Sequence, residues 1–170
     1  YHRYKDNLAK SLPRIPCVKD YSDFLLFEKA GRFLSDLHVD FDKVTPYKCT
    51  ISTNKDSDDL EGMYQVNKLS YAKIDKKKVL TSVKYNDSIT IEGIPEEAYE
   101  YVVSGKPALD WVIDRQKVSI DKNSKIANDA NDWAVETMGN AKYPLELFQR
   151  VITVSLETMK IVNNLPKLDI

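Results

Sequence analysis

Residues 79–92 read VLTSVKYNDSITIE, and this stretch decides the fold. Apolar and polar side chains alternate as far as Tyr85, a turn follows at Asn86-Asp87-Ser88, and the alternation resumes at Ile89. A period of two is typical of a strand that lies with one face against a core. A similar alternation comes earlier in the chain. We therefore predict three antiparallel strands, over residues 64–72, 79–85 and 88–92.

Apolar residues at helical spacing lie on both sides of these strands. Phe24, Phe27 and Leu34 predict a helix over residues 22–38. Pro107 and Pro144 stand where proline opens a helix, and the second begins the longest apolar stripe of the chain. We further predict a helix over 94–103, a solvated loop or edge segment over 40–62 and a polar loop over 121–133. The predicted fold class is α+β, an antiparallel sheet of three or more strands packed with several helices, including a long C-terminal helix.

Length and composition indicate a folded protein of ordinary size. The 170 residues are 42% hydrophobic and 30% charged, which argues against a disordered or collagen-like chain. The net charge is −1, so any affinity for nucleic acid must come from a local patch. No apolar run approaches the roughly 20 residues of a membrane-spanning helix. We expect a cytoplasmic protein without a membrane partner, in which Cys17 and Cys49 are reduced.

Charge is distributed unevenly along the chain. Residues 63–86 hold six lysines and one acid, whereas residues 87–114 hold seven acids and one lysine. Tyr64, Tyr71 and Tyr85 alternate with the lysines. A basic sheet edge with tyrosines suits contact with phosphates. Lysines also protect an exposed edge strand from pairing with other chains, so the pattern alone leaves both interpretations open.

No group of residues has the pattern of an active site or a metal site. His2 and His38 are the only histidines, and no serine or cysteine stands in a G-x-S-x-G context. Residues 104–107 (SGKP) lack the Ser or Thr that holds magnesium in a phosphate-binding loop. A calcium loop from Asp121 would need Gly where Ile126 stands. We assign no catalytic residue and no metal ligand, and we predict that this fragment is not itself an enzyme.

Several stretches together resemble one known family. The segment Leu12-Pro13-Arg14-Ile15-Pro16 and the helix after it resemble the part that follows the methyltransferase core in type ISP restriction–modification enzymes and related adenine-specific DNA methyltransferases. Later stretches are similar to the C-terminal specificity domain of that family: Tyr85-Asn86-Asp87, Ile94-Pro95-Glu96, Trp111-Val112-Ile113-Asp114-Arg115, Asn128-Asp129, Asn131-Asp132-Trp133 and Arg150-Val151-Ile152. The resemblance runs from about residue 12 to residue 166. It departs at Gln116, where we expect Tyr, and at Lys125, where we expect Gly.

The resemblance implies a domain organisation and a role. Residues 1–40 would be a helical connector following a methyltransferase core, and residues 41–170 a DNA specificity domain, in a fragment of a larger chain. The domain would recognise a double-stranded DNA sequence and direct an upstream adenine methyltransferase and nuclease/translocase to it. The implied partners are double-stranded DNA and the methyltransferase domain of the same chain. The fragment would hold no cofactor, and the parent enzyme would use S-adenosylmethionine, ATP and Mg.

The expected DNA contacts lie mainly outside the familiar motifs, because a domain that reads different sequences should vary where it touches bases. We expect the aromatic residues of the motifs to lie in the core; these are Tyr99, Tyr101, Trp111 and Trp133. We expect the Asn-Asp pairs to hold a loop through side-chain to backbone hydrogen bonds. The candidate DNA contacts are Arg14, Asn54, Gln65, Asn67, Lys68, Tyr71, Lys73, Lys76, Lys77, Lys78, Lys84 and Tyr85. The alternative is a protein-docking or structural module of the same enzyme that does not read DNA, since a basic patch also binds acidic proteins.

Overall fold

The protein is seen in a computed structural model, which describes residues 18–54 and 60–167. Arg14 and Cys17 lie outside these ranges, and Cys49 is a free thiol. The described helices are α1 (Tyr21–Val39), α2 (Leu60–Met63), α3 (Ala108–Arg115), α4 (Ala130–Glu136) and α5 (Tyr143–Asn163). The described strands are β1 (Thr50–Thr53), β2 (Ser70–Ile74), β3 (Lys77–Lys84), β4 (Ile89–Glu92), β5 (Val102–Val103), β6 (Lys106–Pro107), β7 (Ser119–Ile120) and β8 (Ala127–Asn128). The α+β class and the long C-terminal helix are confirmed.

The main sheet has four antiparallel strands in the order β1-β4-β3-β2. Ile91 of β4 pairs with Val83 of β3 on one side and with Ile51 of β1 on the other. The three predicted strands are therefore present, although the first begins only at Ser70. The edge strand β1 was not predicted as a strand, because four residues with a single apolar side chain give too few periods to register as alternation.

The core lies between one face of this sheet and the helices α3 and α5. Ile89 and Ile91 of the sheet, Leu109 of α3 and Phe148 and Ile152 of α5 have no exposed surface. A sheet with alternating side chains has one apolar face, and the buried apolar residues of α5 belong to the same core cluster as that face.

Two predicted elements differ in the structure. The helix predicted over 94–103 is a 3₁₀ helix, Glu96–Tyr99, after which the chain forms the small hairpin β5–β6. The polar loop predicted over 121–133 includes β8 and the start of α4, which is capped because the Asp129 side chain accepts a hydrogen bond from the backbone N–H of Asn131. Trp133 on this helix is 56% exposed, so the prediction that it belongs to the core is wrong.

The two-residue turn between β2 and β3 gives a test of local geometry. Asp75 and Lys76 both have positive φ, at 49° and 64°, in the left-handed region that favours glycine. We expect Lys76→Gly to raise the free energy of unfolding by about 0.5–1 kcal/mol, because glycine relieves the backbone strain. Lys77→Gly, in the adjoining strand, should lower it instead. Urea denaturation midpoints measure both, and an equal loss in the two variants would contradict the turn geometry.

Candidate nucleic-acid interface

The structure leaves most of the predicted DNA contacts exposed. Arg14 lies outside the described residues, and Tyr71 and Tyr85 are buried, with 8% and 0% of their surface exposed. The exposed candidates are Asn54, Gln65, Asn67, Lys68, Lys73, Lys76, Lys77, Lys78 and Lys84. They do not form one cluster. Asn54 lies at the end of β1, where its side-chain amide donates to the backbone oxygen of Asp87 at 2.9 Å.

The hairpin β2–β3 carries the densest group of lysines. Lys73 pairs with Lys78 across the hairpin, and Ile74 pairs with Lys77. Lys76 occupies the turn itself. Among the described residues none of these four lysines forms an ion pair. The hairpin therefore carries positive charge into solvent on a short, fixed turn, which suits contact with a phosphate backbone.

A cleft of about 340 Å³ separates this hairpin from α3. Lys73 and Lys78 line it from the hairpin side, and Lys106, Asp110 and Asp114 line it from the other side. The basic and acidic stretches of the sequence thus face each other within one molecule. Because the acids of α3 offset the lysines on the cleft side, the uncompensated positive charge is concentrated at the turn.

The polar groups of the cleft hold the hairpin in place. The hydroxyl of Tyr71 donates to the carboxylate of Asp110, and the ammonium of Lys78 lies 4.9 Å from the centre of the Tyr71 ring. Burial, followed by the bond to Asp110, raises the pKa of Tyr71 above its usual range, so the hydroxyl stays a donor. On the other side, the bond from Lys106 lowers the pKa of Asp114. Tyr71 therefore fixes the hairpin against α3 and has no hydroxyl free for a phosphate.

The polar loop of residues 65–68 directly precedes the hairpin in the sequence, and the side chain of Asn131 holds its backbone. The side chain of Asn131 accepts from the backbone N–H of Val66 at 2.7 Å and donates to its carbonyl at 2.9 Å. Val66 itself is fully buried, whereas its neighbours Gln65, Asn67 and Lys68 are exposed. The anchoring predicted for the Asn-Asp pairs is confirmed for Asn131. The loop presents three polar side chains on a fixed backbone.

Tyr85 supports the same region from inside the core. Its hydroxyl donates to the carbonyl of Tyr64 at 2.6 Å, and burial raises its pKa above the usual range. The side-chain amide of Asn86 donates to the carbonyls of Met63 and Gln65, each at 2.9 Å. The structure therefore places Tyr85 beneath the loop and not at the surface predicted for it. Its place at the end of an alternating strand, in register with Val83, is the signal that it faces the core.

The sequence indicates a short strand at Val118 and Ile120 but not its partner strand, so sequence reasoning missed a second basic hairpin, β7–β8. Lys117, Lys122 and Lys125 are exposed on it or beside it. Each strand has only two residues, and the polar turn between them looks like an ordinary surface loop. The available signal was the Asp121-x-x-Ser124 pattern, which is typical of a turn closed by side-chain to backbone bonds.

Two general features of the described residues bear on the class of site. No helix within them is both long and apolar enough to cross a membrane. No three His, Cys, Asp or Glu side chains in the same ranges come together as metal ligands would. The hairpin β2–β3 and the loop of residues 65–68 expose lysines and side-chain amides, which are groups that contact phosphates and base edges.

Residues 1–149 match the family described as the Type ISP C-terminal specificity domain, and the chain belongs to this family. No curated protein matches it. It is similar to part of a nuclease-deletion mutant of the Type ISP restriction-modification enzyme LlaGI, solved in complex with a DNA substrate mimic, at 39% identity and a TM-score of 0.80. It is also similar to part of LlaBIII, an ATP-dependent Type ISP restriction-modification enzyme bound to DNA, at 37% identity and a TM-score of 0.80.

A third similar structure is a DrdV–DNA complex, at 26% identity and a TM-score of 0.75. The alignments cover 99%, 98% and 99% of this chain for LlaGI, LlaBIII and DrdV. The chain spans only 15%, 10% and 16% of those three proteins in turn. The fold matched here is therefore that of one part of much larger polypeptides.

The buried position of Tyr85 gives a test that separates support from contact. We expect Tyr85→Phe to lower the free energy of unfolding by about 1 kcal/mol, because the Tyr64 carbonyl loses its donor. Affinity for duplex DNA should not change. Tyr64→Phe, which removes a hydroxyl without a hydrogen bond to the described residues, is the control and should alter stability less. Unchanged stability with a tenfold loss of duplex affinity in Tyr85→Phe would contradict the buried assignment.

Proposed function

We propose that this chain recognises a double-stranded DNA sequence for a Type ISP restriction–modification enzyme and does not itself catalyse a reaction. The observation that carries the proposal is the lysine-bearing hairpin β2–β3 beside the anchored polar loop of residues 65–68. The family to which the chain belongs supports it, and so do the similar proteins solved with DNA. In the same proposal, recognition directs an upstream adenine methyltransferase and nuclease/translocase, which use S-adenosylmethionine, ATP and Mg.

The lysines would supply affinity that does not depend on sequence. Lys76 and Lys77 at the turn, with Lys68 and Lys84 nearby in the sequence, would neutralise phosphates and release their counterions. The acids facing Lys73 and Lys78 across the cleft confine this attraction to the exposed side of the hairpin. A confined positive surface orients the duplex as well as attracting it.

The polar loop would supply the sequence dependence. Gln and Asn side chains form paired hydrogen bonds with the N6 and N7 atoms of adenine in the major groove. Gln65 and Asn67 are exposed on either side of Val66, whose backbone is held by Asn131. Because the loop backbone is already fixed, little backbone entropy would be lost when these side chains meet the bases.

We further propose that residues 1–40 act as the connector to the upstream methyltransferase domain and that residues 41–170 form the specificity domain. The described part of the connector is mainly α1, and none of its residues is buried. Leu26 and Phe33, which are seven residues apart and therefore on the same side of the helix, are 53% and 55% exposed, whereas Phe24, 51% exposed, lies on the opposite side. An apolar face of this kind is typical of an interface with another domain. Docking of this kind would give the chain the protein-docking role of the alternative hypothesis in addition to DNA recognition.

Replacing the turn lysines tests the contact with phosphates. We expect Lys76→Ala and Lys77→Ala together to reduce the slope of log K against log salt by up to about 2, because each lysine releases about one counterion. The control changes the same net charge elsewhere, through Lys29→Ala and Lys160→Ala. Fluorescence anisotropy with a labelled duplex, in the intact polypeptide that carries this chain, measures both. An equal reduction in the two sets, or none in the first, would contradict the proposal.

Serine substitutions on α1 test the connector. If the methyltransferase domain covers this face of the helix, Leu26→Ser with Phe33→Ser should lower the thermal unfolding midpoint of the intact polypeptide by several degrees, since each buried side chain contributes about 1.5–3 kcal/mol. Duplex affinity should be retained. Val102→Ser with Val103→Ser, exposed on β5, is the control and should leave the midpoint unchanged. An unchanged midpoint in the α1 variant would show that nothing covers the helix.

A further inference from the structure

We propose that the hairpin β7–β8 is a second DNA contact, in which Ile120 and Ile126 pack against thymine methyl groups in the major groove while Lys117, Lys122 and Lys125 contact the flanking phosphates. The proposal rests on the proposed function. It adds a separate surface, since the hairpin β7–β8 and its lysines lie outside the loop of residues 65–68 and the hairpin β2–β3.

The apolar side chains of this hairpin have no cover within the described residues. Ile120 is 66% exposed and Ile126 is 69% exposed. Both line one shallow, open depression, together with Lys122 and Ser124. Large aliphatic side chains that are exposed in this way contribute little hydrophobic stabilisation to the fold. Ile120 pairs with Ala127, so Ile126 faces the opposite side of the hairpin, and exposed aliphatic side chains on both faces of a short ribbon are typical of a contact surface.

The turn between the two strands is closed by its own hydrogen bonds. One carboxylate oxygen of Asp121 accepts from the backbone N–H of Asn123 at 3.0 Å, from the backbone N–H of Ser124 at 2.7 Å and from the hydroxyl of Ser124 at 2.9 Å. These bonds lower the pKa of Asp121. The carboxylate is therefore engaged inside the turn, and the two isoleucines are carried on an ordered backbone.

The base of the hairpin is fixed to the surface already proposed to meet DNA. The side-chain amide of Asn128 donates to the carbonyls of Arg115 and Lys117, each at 3.2 Å. The backbone N–H of Val118 donates to the carbonyl of Asn67 at 3.0 Å. The hairpin thus continues directly from the polar loop of residues 65–68, so a duplex lying on that loop would also lie near the hairpin.

The charge around the isoleucines favours DNA over a protein partner. Residues 115–125 contain four cations, Arg115, Lys117, Lys122 and Lys125, and one acid, Asp121. None of the four cations forms an ion pair with another described residue. A partner must therefore offer negative charge on both sides of an apolar group. Duplex DNA does so at thymine, the base whose methyl group lies in the major groove between two phosphate backbones.

Lys125 has a backbone conformation that is rare for a residue other than glycine. Its φ is +61°, in the left-handed region, and it stands where the family resemblance leads us to expect Gly. Glycine would take this conformation without strain. A lysine held there places one more cation at the turn at an energetic cost, as residues at binding sites often do.

Removing the thymine methyl group tests the contact from the DNA side. The intact polypeptide first selects a duplex from a randomised library, and that duplex is then made with deoxyuridine in place of each thymidine in turn. We expect at least one replacement to weaken wild-type binding about 4-fold, the effect of one buried methyl group. Ile120→Ser with Ile126→Ser should weaken binding to the thymidine duplex by at least as much and should be insensitive to that replacement. Val102→Ser with Val103→Ser is the matched control and should behave as the wild type.

The outcomes separate this inference from the proposed function. If the wild type enriches no sequence from the library, sequence recognition itself fails. If it enriches a sequence but no thymine methyl group contributes to binding, or if the isoleucine variant binds as the wild type does, the second contact is overturned and the first stands. If the isoleucine variant keeps its DNA affinity but lowers the thermal midpoint of the intact polypeptide, the hairpin docks another protein segment and the proposal is overturned.

Discussion

The contact between the apolar face of the sheet and α5 determines where the other parts of the structure lie. Ile89 and Ile91 on the sheet and Phe148 and Ile152 on the helix are fully buried in one cluster. Because a strand alternates its side chains, burying Val83 on this face turns its neighbour Lys84 towards solvent, and the hairpin ends in the exposed turn at Asp75 and Lys76. The same register puts Tyr85 under the polar loop, where its hydroxyl and the amide of Asn131 hold that loop from two sides.

Charge is organised by the fold and not by the sequence order. The acidic stretch after residue 87 reads as a separate surface, yet α3 turns Asp110 and Asp114 towards the basic hairpin. Lys78 lies over the Tyr71 ring on the cleft side, and the lysines at the turn remain available to a partner. A chain with a net charge of −1 can in this way present a strongly positive local surface.

The sequence predicted the parts that repeat and missed the parts that depend on distant contacts. The alternation through residues 79–92 and the apolar stripe after Pro144 contain enough periods to specify a strand pair and a long helix. The strand β1 is too short to show such a period, and it pairs with a strand distant in the sequence, Ile51 with Ile91. The candidate lysines were found from charge alone. The roles of Tyr71 and Tyr85 could not be predicted, because the sequence pattern of a tyrosine in a basic strand is the same whether its hydroxyl contacts a phosphate or a buried protein group.

The central claim is that the hairpin β2–β3, the polar loop of residues 65–68 and the hairpin β7–β8 form one face that meets DNA. Photocrosslinking tests it most directly, with benzoylphenylalanine incorporated at position 76, 122 or 29 of the intact polypeptide bound to a duplex. The account predicts crosslinks to DNA from positions 76 and 122 and none from position 29, which lies on α1. Crosslinking from position 29 with none from position 76 would contradict it.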